Sequence, residues 1–253
     1  MTAMLEIDGL YKAFGPVKAV NGISLSVPGG QVLGFLGPNG AGKSTTMKMV
    51  AGFLEPDRGS ARICGDDILQ APLAAKQNLG YLPEGAPAYG EMTPRGFLKF
   101  CAGVRGLKGK AGQEAIDKAI ERTALSLVAE QTIDTLSKGF KRRVGIAQAI
   151  LHVPKVLVLD EPTDGLDPNQ KQQVRNLITE LSKDRAIVIS THILEEVDAV
   201  CNRAVIIDQG RVVADGTAAD LRKLMPGKKN PSLDEVFRHI TTGDAQTGRG
   251  DDD

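Results

Sequence analysis

Short runs of aliphatic residues recur along the chain and are separated by stretches with helical periodicity. The segments "QVLGFLG", "KVLVLDEP" and "RAIVIST" are rich in β-branched and aliphatic side chains. Continuous apolar runs of this kind are typical of parallel strands that helices cover on both faces. The pattern therefore predicts an α/β fold with a parallel sheet at its core.

One helix is specified in detail by the segment "DPNQKQQVRNLITELSK". Asp167 stands where an N-cap residue is expected, and Pro168 follows at the first helical position, where its missing N–H costs nothing. Apolar residues then recur at helical spacing, namely Val174, Leu177, Ile178 and Leu181. We expect this helix to pack against the sheet.

Two other regions depart from the parallel pattern. Before residue 36, "MLEIDGL" and "VNGISLSVPGG" alternate apolar and polar positions between glycine turns, which predicts short strands in a small N-terminal antiparallel lobe. From about residue 88 to 150 the signals are helical: Thr93 stands before Pro94 as a helix start, and "QEAIDKAIERTAL" and "KRRVGIAQAIL" follow. This block predicts a helical lobe inserted between strands of the core.

The chain changes character near its end. Ser232 and Glu235 have the spacing of a capping box at the start of a last helix, whereas the polar tail beyond that helix offers no core-forming side chains. We therefore predict a single domain over residues 1–242 and a disordered tail over residues 243–253.

Composition narrows the classes of function. The chain has 253 residues, of which 31 are basic and 31 acidic, so no net charge steers it toward nucleic acid or anionic lipid. Cys64, Cys101 and Cys201 lack metal-ligand or disulfide-framework spacing and fit buried apolar positions in a reducing compartment. Neither a signal peptide nor an apolar run of the ~20 residues needed to span a bilayer is evident. We expect a cytosolic chain unless a partner carries it to a membrane.

The segment "GFLGPNGAGKST" carries the strongest chemical signal, because it places G-x-x-x-x-G-K-S at Gly37–Ser44 between an apolar strand and a helix-like stretch. Glycines at these positions let backbone N–H groups surround phosphate, and the helix N-terminus favours negative charge. Lys43 would then neutralise β- and γ-phosphate charge, and Ser44 would bind Mg²⁺. The alternative is an ordinary glycine-rich turn with an incidental lysine.

Two further strand ends carry polar groups suited to phosphate chemistry. "VLVLDEP" ends in Asp160 and Glu161, and "ISTHILEE" brings His192 to the end of another strand. Ligands of open α/β folds bind at this edge, so we expect Asp160 to hold a hydrated metal, Glu161 to take a proton from an attacking water, and His192 to bind the γ-phosphate. Taken singly, adjacent acids or a lone histidine fit a solvated strand end or a structural role, as we expect for His152 and His239.

These motifs and their order resemble the nucleotide-binding subunits of ATP-binding cassette (ABC) transporters, from Leu5 to Thr242. "GPNGAGKST" resembles the Walker A loop, "YLPE" the Q-loop, "LSKGF" the signature, "VLVLDEP" the Walker B strand, "DGLD" the D-loop and "STH" the switch. The resemblance implies a P-loop NTPase (RecA-like) core, with ATP and Mg²⁺ as cofactors. It assigns phosphate binding to the whole loop, which comprises Gly37, Pro38, Asn39, Gly40, Ala41, Gly42, Lys43, Ser44 and Thr45.

In this family each ATP lies between two subunits. The resemblance therefore implies that Ser137 and Gly139 of the signature approach the γ-phosphate bound by a second copy. Phe14 of "KAFG" is implied to stack on adenine, whereas its residue type alone suits a strand or core position.

Four residues depart from the family pattern, namely Lys138, Phe140, Gln148 and Glu84. Lys138 and Phe140 stand where glycine and glutamine are usual, and Lys138 either adds a cation near the phosphates or points to solvent. Glu84 replaces the usual Q-loop glutamine. Its carboxylate suits Mg²⁺ or a water and adds negative charge beside the phosphates, and we hypothesise that it links the nucleotide site to a docked membrane subunit.

The resemblance implies an ATPase in which two copies, as a homodimer, close around two ATP and drive integral membrane permease subunits, with no nucleic-acid partner. The subgroup resembled is bacterial exporter ATPases, which are peripheral proteins at the cytoplasmic face of the inner (plasma) membrane. The alternative is a soluble ABC-type ATPase acting on ribosomes or DNA, which a single cassette, the lack of heptads and zero net charge disfavour. An unrelated P-loop kinase or GTPase would leave the signature and "STH" unexplained.

Overall fold

The computed structural model describes residues 3–225, 228 and 231–241, where the chain forms two sheets flanked by helices. The tail predicted to be disordered, residues 243–253, lies outside the described residues. The strands are β1 (Ala3–Phe14), β2 (Val17–Pro28), β3 (Val32–Leu36), β4 (Arg58–Ile63), β5 (Asp66–Asp67), β6 (Leu79–Leu82), β7 (Val156–Asp160), β8 (Ala186–Thr191), β9 (Arg203–Asp208) and β10 (Arg211–Gly216). The helices are α1 (Lys43–Val50), α2 (Pro72–Gln77), α3 (Pro94–Val104), α4 (Gly109–Arg122), α5 (Lys138–Ile150), α6 (Pro168–Leu181), α7 (Leu194–Val200), α8 (Ala218–Arg222) and α9 (Leu233–Thr241).

The larger sheet has the strand order β10–β9–β3–β8–β7–β6 and is parallel except for β10, which pairs antiparallel with β9. Every residue of β3, β6, β7 and β8 is buried, which explains why these segments are continuous apolar runs in the sequence. Because parallel strands end at one edge of a sheet, Leu36, Asp160 and Thr191 lie side by side at the ends of β3, β7 and β8. The predicted α/β core is confirmed.

The smaller sheet, with the order β2–β1–β4–β5, is antiparallel and contains the predicted N-terminal lobe. Its first two strands have 12 residues each, so the prediction of short strands was wrong. Gly9 and Gly22 do not end these strands. They lie at shifts of the pairing register with φ of +54° and +83°, and bulges of this kind bend a strand without terminating it.

The segment from residue 88 to 150 is helical, as expected, and contains α3, α4, α5 and two short 3₁₀ turns. Thr93 caps α3, because its hydroxyl oxygen accepts a hydrogen bond of 3.1 Å from the N–H of Gly96. These helices share an apolar core with α6. At its rim, Arg122 of α4 and Glu180 of α6 form an ion pair of 2.6 Å, so charge as well as packing joins the helical segment to the rest of the domain.

Helix ends follow the capping signals in the sequence. Asp167 accepts from the N–H of Gln170 at 2.9 Å, and the Gln170 side chain accepts from the N–H of Asp167 at 3.4 Å, which completes a capping box at α6. The apolar residues predicted to face the sheet from this helix are all buried. Ser232 and Glu235 form the second predicted box, at α9.

Two further observations bear on the predictions from composition. Cys64, Cys101 and Cys201 are unpaired and partly buried, and burial raises the pKa of each thiol. None of the helices that the structure describes is long and apolar enough to cross a lipid bilayer.

His152 ties the turn after α5 to the sheet, which fits the structural role expected for it. A carbonyl oxygen only accepts hydrogen bonds, so the contact of 3.0 Å between Nε2 and the oxygen of Leu79 makes Nε2 the protonated nitrogen. Nδ1 is buried without a hydrogen-bond partner among the described residues. Burial, together with the charge of Arg105, lowers the pKa of His152 from 6.5 to about 4.

We predict that acidification from pH 7 to pH 4 destabilises the wild-type chain more than a His152→Gln variant. The folded-state pKa lies below the unfolded one, so the unfolded chain takes up the proton first as the pH falls. The stability contribution is complete above about pH 6.5, is lost toward pH 4 and amounts to at most about 3 kcal/mol. Urea unfolding at a series of pH values measures the difference. Parallel losses in both proteins would contradict the assignment.

Candidate functional site

The loop from Gly37 to Gly42 connects β3 to α1 and is shaped by close backbone contacts. A side chain at Gly42, where φ is +102°, would collide with the carbonyl oxygen of Ala19, and one at Gly37 would collide with that of Ile207. The carbonyl of Ala41 accepts a hydrogen bond of 3.0 Å from Gly210, which fixes the loop to the end of β9. The two glycines are therefore required by space, and the exposed tip at Asn39 and Gly40 faces solvent.

Lys43 begins α1 and folds back over this loop. Its ammonium donates to the carbonyl oxygens of Gly37 at 2.7 Å and Pro38 at 3.1 Å, and the residue is buried. Burial lowers the pKa of Lys43, while the negative charges of Glu161, Asp160 and Glu84 oppose that shift. The charges of acids at the ends of β6 and β7 therefore act on Lys43. Ser44 and Thr45 follow it in the first turn of α1 and are partly exposed.

Asp160 ends β7 and is almost completely buried, with 1% of its surface exposed. Its Oδ1 accepts a hydrogen bond from the hydroxyl of Ser190, the residue opposite it on β8. Its Oδ2 has no hydrogen-bond partner within the described ranges. A buried carboxylate oxygen in this state is suited to a cation or a bound water. Ser190 was not identified from the sequence, because nothing in its own segment indicates this partner.

Glu161 and His192 form a direct pair. Nδ1–H of His192 donates to Oε1 of Glu161 at 2.9 Å, since a carboxylate oxygen accepts. Glu161 has a left-handed backbone with φ of +49°, and its N–H donates to the carbonyl of Ser190 at 3.0 Å. The sequence placed both residues at one edge but did not predict that they touch. The His192 ring is half exposed, so its other nitrogen is accessible to a ligand.

Glu84 and Phe14 lie at the margins of this edge. Glu84 is exposed in the turn after β6, and its charge acts on Lys43. Phe14 is half exposed at the β1–β2 hairpin, with the ammonium of Lys12 5.9 Å from its ring centroid. Its partner on β2 is Val17. Val17 lies two residues before Ala19, whose carbonyl oxygen leaves no space for a side chain at Gly42. An exposed aromatic ring near the loop is suited to stacking on a planar ligand.

The signature residues lie at the start of α5. Ser137 caps the helix by accepting from the N–H of Phe140 at 3.4 Å, and Gly139 lies so close to Gln170 of α6 that a side chain would collide with it. The Lys138 side chain is 64% exposed, and its Nζ lies 2.7 Å from a carboxylate oxygen of Asp164. The sequence did not predict this ion pair.

Among the described residues, the structure thus assembles Lys43, Asp160, Glu161 and His192 at one edge, with Ser44 and Glu84 beside them. It places Ser137 and Gly139 on the helical segment, where Gly139 lies against α6. Sequence reasoning missed two contacts, that of Ser190 with Asp160 and that of Asp164 with Lys138.

A parallel sheet whose carboxyl edge carries a glycine-walled loop, a buried lysine and strand-end acids defines a P-loop nucleoside triphosphatase fold. A family model described as ABC transporter matches residues 20–164. A solved structure described as the ATP binding subunit of an ABC transporter superposes with a TM-score of 0.85 at 31% identity, covering 94% of this chain and 99% of that one. The chain belongs to the ABC transporter family.

The names of two similar proteins refer to drug transport or drug resistance. "Probable multidrug ABC transporter ATP-binding protein YbhF" of Escherichia coli K12 is 35% identical over 237 residues, which cover 92% of this chain but 41% of that protein. "Daunorubicin/doxorubicin resistance ATP-binding protein DrrA" of Streptomyces peucetius is 36% identical over 222 residues, covering 87% of this chain and 67% of that protein. The chain therefore spans less than half the length of the first of these relatives.

We predict that Gly42→Ala abolishes nucleotide binding and lowers stability more than Gly30→Ala does. Both glycines have positive φ, +102° and +82°, but only Gly42 has a backbone oxygen where the new methyl would lie. Gly30→Ala carries the backbone strain alone, about 1–2 kcal/mol, whereas Gly42→Ala must also displace the loop from Ala19. Urea unfolding and titration with a fluorescent ATP analogue measure both effects. Equal stability and equal affinity in the two variants would contradict the steric argument.

Proposed function

We propose that this chain is the ATP-binding and ATP-hydrolysing subunit of an ABC transporter, and that two copies close around two ATP and two Mg²⁺ to drive a separate membrane permease. The observation that carries the proposal is the convergence of a glycine-walled loop, the buried Lys43 and the Glu161–His192 pair at one sheet edge. A phosphate-binding loop beside a carboxylate able to take a proton from water is what hydrolysis of a triphosphate requires.

The residues at this edge fit ATP with Mg²⁺. Because Gly37 and Gly42 have no side chains, the loop can adopt a conformation in which its backbone N–H groups surround phosphate. Lys43 is already oriented into this loop. The unpaired oxygen of the buried Asp160 suits a hydrated cation. Ser44, in the first turn of α1, supplies a hydroxyl ligand, and the charge of Glu84 reaches the same site.

In the proposed reaction, Lys43 and the loop N–H groups hold the β- and γ-phosphates. Ser44 and Asp160 would hold Mg²⁺, which would supply positive charge to the phosphate oxygens. As the water oxygen bonds to the γ-phosphorus and the bond from that phosphorus to ADP breaks, Glu161 takes a proton from the water. His192 orients that carboxylate through Nδ1–H. The strained backbone of Glu161, anchored on Ser190, restricts where the carboxylate can point.

We expect Glu161→Gln to lower ATP turnover at least about 100-fold while ATP binding is retained, because the amide keeps the shape of the side chain but takes no proton. Phosphate release and titration with a fluorescent ATP analogue separate the two quantities. Glu195→Gln, which changes an exposed acid at the start of α7, is the control and keeps wild-type turnover. Wild-type turnover in Glu161→Gln would refute the role given to Glu161.

The second half of each ATP site is proposed to come from a second copy of the chain. Ser137 and Gly139 lie at the N-terminus of α5, a helix of 13 residues, where backbone N–H groups and the helix dipole favour an anion. Their own-chain contacts are with Phe140 and Gln170, and neither contact is with the loop Gly37–Gly42. In the proposed homodimer, α5 of one copy faces the loop of the other.

The proposed site for the permease is a groove of about 470 Å³ between the core and the helical segment. Its lining includes Phe53, Leu73 and Val104, which are 75%, 80% and 72% exposed. Clusters of exposed apolar side chains mark interaction surfaces. Tyr81 also lines the groove, and its buried hydroxyl has no hydrogen-bond partner in the part of the chain that the structure describes. Tyr81 lies three residues before Glu84. A docked subunit would therefore sit next to Glu84.

This groove supports the proposed location of the chain at a membrane protein. A chain that binds an integral membrane protein here is peripheral, and ATP is supplied at the cytoplasmic face of the plasma membrane. The names of the multidrug and daunorubicin/doxorubicin resistance relatives favour export over import.

We expect Leu73→Asp and Val104→Asp to reduce recovery of a membrane protein with the tagged chain at least about 10-fold, because a buried unpaired carboxylate opposes docking. Recovery is measured by pull-down from detergent-solubilised membranes. Leu127→Asp, at a residue that is 92% exposed and outside the groove lining, leaves recovery unchanged. Unchanged recovery in the groove variants would exclude this surface, and recovery of ribosomes or DNA instead would overturn the transporter assignment.

A further inference from the structure

The turn from Glu161 to Asp167 joins β7 to α6 and carries the residue proposed to accept the proton. The N–H of Asp164 donates to the carbonyl of Glu161 at 3.2 Å, and the N–H of Leu166 donates to that of Thr163 at 3.2 Å. The side chain of Asp164 points away from these bonds toward α5. A change in the position of that carboxylate therefore acts on the backbone of Glu161 through a single hydrogen-bonded turn.

Two cations of α5 hold the same oxygen of Asp164. Nζ of Lys138 lies 2.7 Å from Oδ2 and Nη2 of Arg142 lies 3.6 Å from it. The two residues are four positions apart, so they share one face of the helix. The hydrogen bond from Lys138 is the main reason that the pKa of Asp164 is lowered, and the charges of Lys138, Arg142 and His192 add to it.

The two cations differ in burial, and this separates their roles. Lys138 is 64% exposed, so its pair with Asp164 contributes little to stability. Arg142 is 3% exposed, and its Nη1 has no hydrogen-bond partner among the described residues, so it depends on the negative charges around it, which include Glu161, Asp160 and Glu84. Arg142 is thus part of the packed domain, whereas Lys138 can be changed without disturbing it.

Packing fixes the approach of the helix to the turn. Gly165 has φ of +71°, and a side chain there would meet the stem of Lys138. One residue along α5, Gly139 lies directly against Gln170, the third residue of α6. The start of α5 therefore lies in contact with the turn before α6 and with the first turn of α6, and the Lys138 side chain lies across this junction.

We propose that Asp164 is a positioning residue for Glu161, and that Lys138 and Arg142 set its position from α5. The inference rests on the proposed function, in which the start of α5 faces the ATP of a second copy. Under that arrangement, the helix that meets the partner's nucleotide also holds the turn that serves the chain's own nucleotide.

The test compares ATP turnover at saturating ATP, the affinity for a fluorescent ATP analogue and thermal unfolding for four variants: Lys138→Gln, Lys138→Arg, Asp164→Asn and the Lys138→Gln/Asp164→Asn double variant. Lys138→Gln is expected to lower kcat about 3- to 10-fold with unchanged affinity and unfolding temperature, and Lys138→Arg restores kcat. Lys141→Gln is the matched control, because this neighbouring cation makes only a 4.0 Å contact with Asp134.

Two further readouts separate positioning from other roles. Raising NaCl from 50 to 500 mM is expected to lower wild-type kcat toward that of Lys138→Gln and to leave Lys138→Gln unchanged. The double variant is expected to be no slower than Asp164→Asn, because Lys138 has already lost its carboxylate partner in Asp164→Asn. If Asp164→Asn does not fold, the Lys138 series and its salt dependence decide alone.

Contradictory outcomes are distinct from failure of the proposed function. Equal kcat and equal salt dependence in Lys138→Gln and the wild type would overturn the positioning role alone, as would effects of Lys138→Gln and Asp164→Asn that multiply independently. A wild-type chain that neither binds nor hydrolyses ATP would overturn the proposed function, and with it this inference.

Discussion

A buried ammonium facing three carboxylates is the constraint on which the rest of the structure depends. Lys43 loses its hydration where α1 begins, and this costs free energy that only nearby oxygen atoms can offset. Two carbonyls of its own loop do so directly, and the charges of Asp160, Glu161 and Glu84 favour the protonated form. The parallel sheet brings these groups together, because its strands end at a common edge.

Backbone strain concentrates at the same edge. Glu161 adopts a left-handed conformation, which costs a residue with a side chain about 1–2 kcal/mol. Hydrogen bonds to Ser190 and from Asp164 hold it there, so the direction of the carboxylate is set by backbone as well as by side-chain contacts. His192 then fixes the carboxylate itself. Rigid placement of this kind is useful to a group that must meet a water in one geometry, and it also makes the turn sensitive to whatever packs against it.

The sequence predicts those parts of the fold whose signals are local. Buried strands, the capping box at α6 and the phosphate loop each occupy a few contiguous residues, and their patterns were sufficient to locate them. Bulges at Gly9 and Gly22 were misjudged as turns, because a glycine with positive φ leaves the same trace in either setting. Contacts between distant segments were not predictable. Ser190 contacts Asp160 from the neighbouring strand and Asp164 contacts cations of α5, but nothing in "STH" or "DGLD" indicates these partners.

The unequal burial of the two cations at Asp164 has an evolutionary consequence. Arg142 needs a nearby acid to be tolerated in the interior, whereas Lys138 needs none, because it remains largely hydrated. Asp164 is therefore compatible with a glycine at position 138, but Arg142 is poorly compatible with the loss of Asp164. A lineage could gain the acid first and the lysine afterwards, with every intermediate able to fold. Loss of the lysine would then alter turnover without loss of the fold, whereas loss of Asp164 would leave the buried Arg142 without its carboxylate partner.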